Sequence, residues 1–532
     1  MKNVALSGNP CVGNPHVRYD EEGVASGKPR QASLLYKAID RIVVGMVAVG
    51  LAFPLSGEES ASLDFSVTAG AIRRELHSSG WGAQLTGCNS KRYERLKPLR
   101  LKAARTHDWA HQNTAQRICD MHFLFPLLHA DTQDPRNYFF GPTDEILEMT
   151  IEDLDMDILF RMGTSIENVN ARLKSEKRPP RYYNSVEPSD WDQFVRAQTQ
   201  IIRHYTEGWA NGYRWADRIR YWELWNEPDD AALGGSWCLA DRTGDWTVKS
   251  ERFWAFAVYV LKKLKAEFPQ LKFGAPAVCY WDEPFLTGFL KKCRAEGYAP
   301  DFISWHSYGD RPEVMLSQPA TARKFCDGLG FAKTELIIDE WHYIPCGAAW
   351  GWFGAEPEVY AKLLSPEDGL TSADAAVYAL QVIVGLQSTV LDQSYYYGCS
   401  HDGWFWGYRR PDNGFNKSFY ALRMFGDVVG ACETFVKGAD PTEPNPVRAF
   451  GAWSRDGKRA YLIATVYRGT EATFEVCAKG LGDRQLKSVT VVDWERDGEK
   501  VDPVSVVTRD GDTLRFRKAK AERAAAYLLE FE

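Results

Sequence analysis

Apolar runs of strand length alternate with stretches of helical periodicity between about residues 80 and 430. In one such stretch, Trp191 to Trp209, apolar residues recur at steps of three and four, which predicts an amphipathic helix that begins after Asp190 and ends at Asn211–Gly212. A second helix is predicted from Trp254 to Phe268, ending at Pro269. The eight predicted strands cover residues 81–85, 101–107, 157–163, 220–226, 272–278, 301–307, 335–341 and 393–399.

Strand followed by helix, repeated eight times over about 350 residues, predicts an α/β fold with a parallel (β/α)₈ TIM barrel. A doubly wound open sheet is the alternative, but no G-x-G-x-x-G follows any of the predicted strands. The last 90 residues or so change to apolar–polar alternation, with Asp-Gly turns at 456–457, 497–498 and 510–511. This pattern predicts a C-terminal antiparallel β-sandwich.

The predicted domains are an N-terminal tail over 1–60, a catalytic barrel over 61–440 and a sandwich over 441–532. The segment 61–78 is strand-like and can pair with the sandwich. Residues 42–55 form an apolar run with the length of a secretory h-region, too short for a stable membrane span. A secreted or periplasmic location is therefore expected. The forty residues before the run fit a signal peptide poorly, so a cytoplasmic protein with a packed helix here is the alternative, and cleavage of the tail stays open.

Composition excludes several classes of protein. Apolar residues at 45% and charged residues at 25% are typical of a globular chain, and a net charge of −7 without a basic stripe argues against nucleic acid. Eleven dispersed cysteines with no C-x-x-C pair predict buried thiols rather than a disulfide framework or a zinc site. The 19 Trp, 24 Tyr and 27 Phe fill cores, but rings near strand ends also stack on sugars.

Polar and aromatic residues collect at the ends of the predicted strands, where a (β/α)₈ enzyme builds its active site. The strand ends read "RTHD" on strand 2, "NEP" on strand 4, "WHSY" on strand 6 and "DEW" on strand 7, and strand 8 leads to "HDGWFWGYRR". Glu227 and Glu340 therefore end different strands of one barrel. Glycoside hydrolysis needs such a pair, with one carboxyl group protonated and the other ionised. Asn226 can hydrogen-bond a sugar 2-hydroxyl.

Simpler interpretations apply to the neighbouring acids. Taken alone, Glu227 would be interpreted as a solvated turn residue. Its position at the end of strand 4, together with Glu340 at the end of strand 7, favours a catalytic role. Asp229 and Asp230 are expected to form a turn and a helix start. Asp339 is expected on the opposite face of strand 7 from Glu340, because side chains alternate along a strand. The segments 107–111 and 131–137 lack defining residues of zinc and calcium motifs, so no metal or other cofactor is expected.

The chain resembles glycoside hydrolase family 39, which contains β-xylosidases and α-L-iduronidases. The similarity covers roughly residues 75 to 430 and rests on an ordered set of segments; the Asn-Glu-Pro element by itself is shared by a wider clan of barrel enzymes. The similar segments are "ARTHDW", "ADTQDPRNYFFGPTDE", "FRMGTSIE", "ELWNEPD", "FISWHSYG" and "KSFYALRMFGDV".

The resemblance implies Glu227 as acid/base, Glu340 as nucleophile and Asn226 as the 2-hydroxyl ligand. It also implies that His107, His306 and Tyr308 line the sugar subsite, with Tyr308 orienting the nucleophile. Members of the family retain the anomeric configuration, which requires carboxyl groups about 5–5.5 Å apart.

The end of strand 8 departs from the family pattern, because "YYYGCSHDGWFWGYRR" is unusually aromatic and basic. Trp341, Trp404 and Trp406 are predicted to contact the sugar. Arg409 or Arg410 could instead bind a uronic carboxylate, although such arginines are more often solvated.

The predicted function is that of a retaining, exo-acting, β-xylosidase-like glycosidase on plant-type oligosaccharides or glycosides. A uronide-cleaving, iduronidase-like enzyme and a non-catalytic carbohydrate-binding barrel are the alternatives. The sugar, the linkage, exo or endo action and the oligomeric state stay open at this point.

Overall fold

A computed structural model describes residues 59–80, 94–106, 110–111, 116–166, 187–229, 246–345, 363, 365–398, 407–408, 410 and 414–532. The apolar run 42–55 and the predicted strand 81–85 lie outside these residues. So do four of the candidate site residues, namely His107, Trp404, Trp406 and Arg409. No helix in the described part of the chain is long and apolar enough to cross a membrane.

Eight parallel strands close into a barrel, which confirms the predicted TIM-type fold. Each of the seven predicted strands within the described residues overlaps one of them. The first barrel strand lies just before residue 81. The strands are β1 (Ser78–Gly80), β2 (Ala103–Arg105), β3 (Asp157–Met162), β4 (Tyr221–Leu224), β5 (Lys272–Gly274), β6 (Phe302–Gly309), β7 (Glu335–Tyr343) and β8 (Gln393–Tyr397).

Helices follow the strands and cover the barrel. The predicted helix after Asp190 begins there, because the Asp190 side chain accepts a hydrogen bond from the Gln193 main-chain nitrogen at 2.8 Å. It ends at Thr206, before Gly208 with its φ of 81°. The α-helices are Met121–Leu124, Gly141–Glu148, Trp191–Thr206, Trp246–Glu267, Glu283–Ala295, Pro312–Gly328, Ala373–Leu386, Lys417–Ala431 and Pro503–Val506.

Shorter elements fill the connections. Four 3₁₀ helices span Arg74–Leu76, Glu94–Leu99, Pro135–Asn137 and Trp209–Asn211, and a π-helical turn spans Met149–Asp153. A two-stranded hairpin pairs Ala110–His111 with Gln116–Arg117 after β2.

The barrel interior changes from apolar to polar along the strands. Its first layer is a buried apolar cluster of Ala103, Leu159, Phe302, Ile337 and Tyr395, one residue from each of five strands. Side chains two positions further on point to the same side of a strand. Those positions hold Arg105, Arg161, Ser304, Asp339 and Tyr397. The layer nearer the C-terminal ends of the strands is therefore polar and charged.

The C-terminal region forms a ten-stranded, mostly antiparallel sheet in which the N-terminal strand Ser60–Ala71 lies between Cys432–Gly438 and Thr473–Lys479. Phe474 stacks on Phe516 at 4.7 Å and also contacts the Tyr527 ring at 5.8 Å. Because Tyr527 and Phe474 lie on strands far apart in the sheet, this contact requires the sheet to fold over itself as a sandwich. The spatial order is Asp497–Val501, Leu486–Val492, Ala525–Phe531, Ala460–Val466, Val447–Ser454, Cys432–Gly438, Ser60–Ala71, Thr473–Lys479, Thr513–Arg517 and Val507–Asp510.

The described cysteines are free thiols. Cys477 is partly exposed, and the buried ones are Cys119, Cys279, Cys293, Cys326 and Cys432.

The buried helix Ala373–Leu386 begins at Ser372, whose hydroxyl accepts a hydrogen bond from the Ala375 main-chain nitrogen at 3.2 Å. Replacing Ser372 with alanine removes this cap and leaves a buried N–H group without its partner. We expect the free energy of unfolding to fall by about 1 kcal/mol, measured by urea denaturation. Ser317→Ala is the control, because that hydroxyl is exposed and lies within a helix. An equal loss in both variants would contradict the capping role.

Candidate active site

The chain at the end of β4 is held in an unusual backbone conformation. Trp225 and Glu227 both have positive φ, at 75° and 46°, in the left-handed region that non-glycine residues seldom adopt. The main-chain nitrogen of Glu227 donates to the carbonyl oxygen of Ala277 at 2.8 Å, and Trp225 is fully buried. These contacts fix Glu227 at the rim of the barrel. Conformations of this kind persist only where surrounding structure enforces them, and they cluster at functional sites.

The end of β7 carries a bulge that the sequence did not reveal. In the pairing of β7 with β6, Ile338 faces Trp305 and Glu340 faces His306, so Asp339 is an extra residue. The prediction that Asp339 lies on the opposite face from Glu340 is therefore wrong. The bulge interrupts the strict alternation, and both carboxyl groups reach Arg105, as the distances below show.

Arg105 at the end of β2 links four polar side chains and is itself fully buried. Its Nε donates to Glu223 at 2.6 Å, and its Nη1 donates to Glu340 at 2.6 Å. Its Nη2 lies 2.8 Å from Asn226 Oδ1 and 2.9 Å from Asp339 Oδ2. One guanidinium thus fixes the Glu340 carboxyl group and the orientation of the Asn226 amide, whose NH₂ group is the end able to donate to a ligand.

His306 and Tyr308 on β6 complete the arrangement. Nδ1 of His306 lies 2.9 Å from Glu227 and 3.4 Å from Glu340, and its Nε2 lies 3.2 Å from Asp339. The Tyr308 hydroxyl donates to Glu340 Oε2 at 2.7 Å. Oxygens of the Glu227 and Glu340 carboxyl groups lie within 4.8 Å of each other. The two glutamates predicted to act together are therefore brought together.

Burial and neighbouring charges act in opposite directions on the pKa values of this cluster. Burial raises the pKa of Glu340, while the charges of His306 and Arg105 act in the opposite direction. Burial likewise raises the pKa of Glu223 to about 7, despite its contact with Arg105. For Asp339 the effect of burial is outweighed by Arg105 and His306, so its pKa is lowered. For His306 burial is outweighed by Glu340 and Asp339, so its pKa is raised.

The expectation for Trp341 changes. Trp341 was predicted to contact the sugar, but it is fully buried in the main core and packs edge-on against Tyr396 at 5.0 Å. It therefore offers no surface to a ligand.

Asp229 lies in a turn, as predicted. Its carboxyl group accepts a hydrogen bond from the Cys279 main-chain nitrogen at 3.0 Å, and burial raises its pKa to about 8.

Of the two basic residues after β8 that were considered for binding a uronic carboxylate, Arg410 is described and pairs with an acidic side chain of the protein. Arg410 lies 3.1 Å from Asp497, a residue of the C-terminal sheet, and Arg409 is outside the described residues.

Arg105, Glu223 and Asp339 were missed as site residues. A usable signal existed for two of them, because a charged residue inside an otherwise apolar strand must have a buried partner. Glu223 within "YWELW" and Arg105 within "LKAART" satisfy this condition.

Glu227, His306 and Glu340 also have the spacing of a possible metal site. A metal ion needs the lone pair of an imidazole nitrogen. Both ring nitrogens of His306 already face carboxyl oxygens, Nδ1 those of Glu227 and Glu340 and Nε2 that of Asp339, and Arg105 already supplies positive charge to Glu340. The donor set therefore fits a metal poorly, and a metal-free site stays a prediction.

Comparison with known proteins finds one partial sequence match and several proteins of similar fold. No protein-family model matches the chain. A curated β-xylosidase of Geobacillus stearothermophilus is 26% identical over 189 residues, which is 32% of this chain and 33% of that protein. The match thus spans about a third of the length of this relative.

Solved structures show the same fold over most of the chain. A glucosidase from Croceicoccus marinus has a TM-score of 0.64 at 18% identity, covering 90% of this chain and 99% of that one. A family 39 glycoside hydrolase from Xanthomonas axonopodis pv. citri has a TM-score of 0.58 at 14% identity, with 90% and 99% coverage. An α-L-arabinofuranosidase from Thermotoga maritima has a TM-score of 0.54 at 15% identity, with 88% and 99% coverage. These structures share the fold of this chain over most of its length, and the β-xylosidase match covers about a third of it.

Proposed function

We propose that the protein is a retaining glycosidase in which Glu227 is the acid/base and Glu340 is the nucleophile. The observation that carries this proposal is the spacing of the two carboxyl groups, whose oxygens lie within 4.8 Å. An inverting enzyme must fit a water molecule between its basic carboxylate and the sugar, so its two carboxyl groups are about 6.5–9.5 Å apart. The shorter distance favours direct attack by one carboxylate on the anomeric carbon.

The hydrogen bonds support this division of roles. Arg105 and Tyr308 both donate to Glu340, which stabilises its ionised form and orients it for attack. Among the described residues, His306 alone forms a side-chain hydrogen bond to Glu227. Glu227 is also the more exposed of the two glutamates, with 17% of its side chain accessible against 5% for Glu340. Such a group can exchange a proton with a leaving oxygen and later with water.

In the proposed reaction, a Glu340 oxygen forms a bond to the anomeric carbon as the glycosidic bond breaks. The Glu227 proton passes to the leaving oxygen. Water then gives a proton to Glu227 and attacks the anomeric carbon, which releases Glu340 as a carboxylate. Asn226, oriented by Arg105, donates to the sugar 2-hydroxyl in this scheme.

Replacing Glu227 with alanine should affect substrates unequally. A dinitrophenyl β-xyloside has a leaving group that needs no proton, so its first step should persist, whereas an unactivated xyloside should lose roughly 10²–10⁴-fold in kcat/KM. Azide should restore turnover of the activated substrate, because it attacks the anomeric carbon of the glycosyl ester without a general base, releases the Glu340 carboxylate and forms the β-xylosyl azide. Equal loss on both substrates without azide rescue would contradict the acid/base role.

The proposed substrate class is β-linked xylosides at the end of plant-type oligosaccharides, supported by the partial match to a β-xylosidase. A panel of aryl β-xyloside, β-glucoside, α-arabinofuranoside and uronide tests it. Highest kcat/KM on the xyloside is the expected result, and preference for a uronide would overturn the sugar assignment. Sugar binding without turnover on any of these would indicate a non-catalytic barrel.

A further inference from the structure

The Asp339 carboxyl group contacts two basic side chains of the site, Arg105 and His306. Its Oδ2 atom lies 2.9 Å from Arg105 Nη2 and 3.2 Å from His306 Nε2, and its side chain is fully buried. Arg105 in turn donates to Glu340, and His306 Nδ1 faces Glu340 at 3.4 Å. Arg105, Asp339, His306 and Glu340 therefore form a closed ring of alternating cations and anions. Only the bulge in β7 allows two consecutive residues, Asp339 and Glu340, to join this ring.

The contacts of His306 are those of an imidazolium cation. Each ring nitrogen faces carboxylate oxygens, Nε2 towards Asp339 and Nδ1 towards Glu227 and Glu340. Asp339 faces Nε2, and Glu340, ionised as the proposed nucleophile, faces Nδ1 at 3.4 Å, so only a ring protonated on both nitrogens can donate to both carboxylates. A buried charge requires a partner of opposite charge. Asp339 is such a partner for the His306 cation, and it lies on the Nε2 side of the ring, away from Glu227.

We infer that Asp339 is a positioning residue that holds His306 as an imidazolium through both steps of the reaction. The inference rests on the proposed function. In the first step, the cation beside Glu227 favours release of its proton to the leaving oxygen. Once Glu340 has become an ester and lost its charge, the same cation balances the ionised Glu227 that accepts a proton from water. Asp339 itself does not contact the reacting atoms in this scheme.

Other charged groups around His306 could produce pH effects of their own. The groups that face it are Glu227 after β4, Asp339 and Glu340 on β7, and Tyr308 on its own strand with a ring distance of 6.3 Å. Arg105 shares the Asp339 oxygen. The burial of Tyr308 raises its pKa well above the ordinary value, so Tyr308 does not titrate in the working range. The charge state of His306 is therefore set by the three carboxyl groups.

Nitrogen-15 NMR of the full chain, labelled at histidine, tests the charge state directly without using activity. The chain has 10 histidines, and His306→Gln identifies the resonance of interest. The expected spectrum at pH 7.5 shows both ring nitrogens of His306 protonated. A neutral ring at that pH would overturn the inference, and this result is independent of whether any glycoside is cleaved.

The variant Asp339→Asn removes the charge while keeping the size of the side chain. If His306 then becomes neutral, Glu340 loses a cation that lowers its pKa. The acidic limb of the kcat/KM profile follows ionisation of the nucleophile Glu340. This limb should therefore move to higher pH by roughly one unit, the smaller end of the effect of a nearby charge.

Glu223→Gln is the matched control. It also removes a buried carboxylate from Arg105, at 2.6 Å, but Glu223 is not among the His306 contacts. Burial raises the pKa of Glu223 to about 7, so this change removes little negative charge at the pH of the acidic limb. With His306 still charged, the acidic limb should stay in place or move to lower pH. Movement of the Asp339→Asn profile in this same direction, or no movement, would overturn the inference. If Asp339→Asn does not fold, the NMR measurement on the unchanged protein decides.

Discussion

Replacing Glu340 with alanine should reduce kcat for an aryl β-xyloside by roughly 10⁴-fold or more, the scale of loss when a nucleophile is removed. The first chemical step needs the Glu340 carboxylate to form the bond to the anomeric carbon, and no neighbouring side chain can replace it. Glu227 is held by His306 on one side and by the strained backbone at the end of β4. It therefore cannot move to take over the role.

Azide distinguishes loss of the nucleophile from general damage. In Glu340→Ala it can enter the space left by the carboxyl group and attack the anomeric carbon directly, so the product should be the α-xylosyl azide. This configuration is opposite to the one expected from Glu227→Ala. Asp134→Ala is a suitable control, because its carboxyl group lies in an exposed pair with Arg136 remote from these contacts. Formation of the β-azide by Glu340→Ala would contradict the assignment of roles.

Replacing Arg105 with methionine should lower the free energy of unfolding by about 3–5 kcal/mol and abolish activity. Arg105 is the buried partner of Glu223, Asp339 and Glu340, and its removal leaves these acids without their shared cation. Urea denaturation followed by tryptophan fluorescence measures the loss at pH 7. The loss should shrink towards pH 5, because protonation neutralises the acids that Arg105 no longer balances.

A second substitution tests the cause of this instability. The double variant Arg105→Met/Glu223→Gln has one fewer unpaired acid, so it should be more stable than Arg105→Met. Arg136→Met, at an exposed ion pair, should leave stability almost unchanged. A double variant no more stable than the single one would show that packing, rather than charge, causes the loss.

Much of this architecture follows from the chain itself. Runs of apolar residues predicted seven of the eight barrel strands, and Asp190 marked a helix start that the structure confirms. The first barrel strand, Ser78–Gly80, lies before the predicted run at 81–85. Glu227 and Glu340 could be paired because parallel strands of a barrel all end at one rim. These inferences use local periodicity and one topological rule, and neither depends on the details of packing.

The rest of the site depends on interactions that the sequence pattern does not encode. Strict alternation places Asp339 away from Glu340, and only the bulge in β7 brings them together. Trp341 is an aromatic residue near the end of a strand, a position from which a ring often stacks on a sugar. The bulge in β7 instead turns Trp341 into the core, where it contacts Tyr396. The sequence alone does not distinguish Arg105 from the other arginines, because its contacts with Glu223, Asn226, Asp339 and Glu340 come from different strands. Long-range contacts decide all three cases.

Trapping of the covalent intermediate tests the central claim most directly. A dinitrophenyl 2-deoxy-2-fluoro-β-xyloside carries a good leaving group, so the enzyme should form the glycosyl ester, while the fluorine slows its hydrolysis. Digestion and mass spectrometry should then find one added fluoroxylosyl group, located on Glu340. A label on any other residue, or an active enzyme that is never labelled and releases the inverted sugar, would contradict the proposed mechanism.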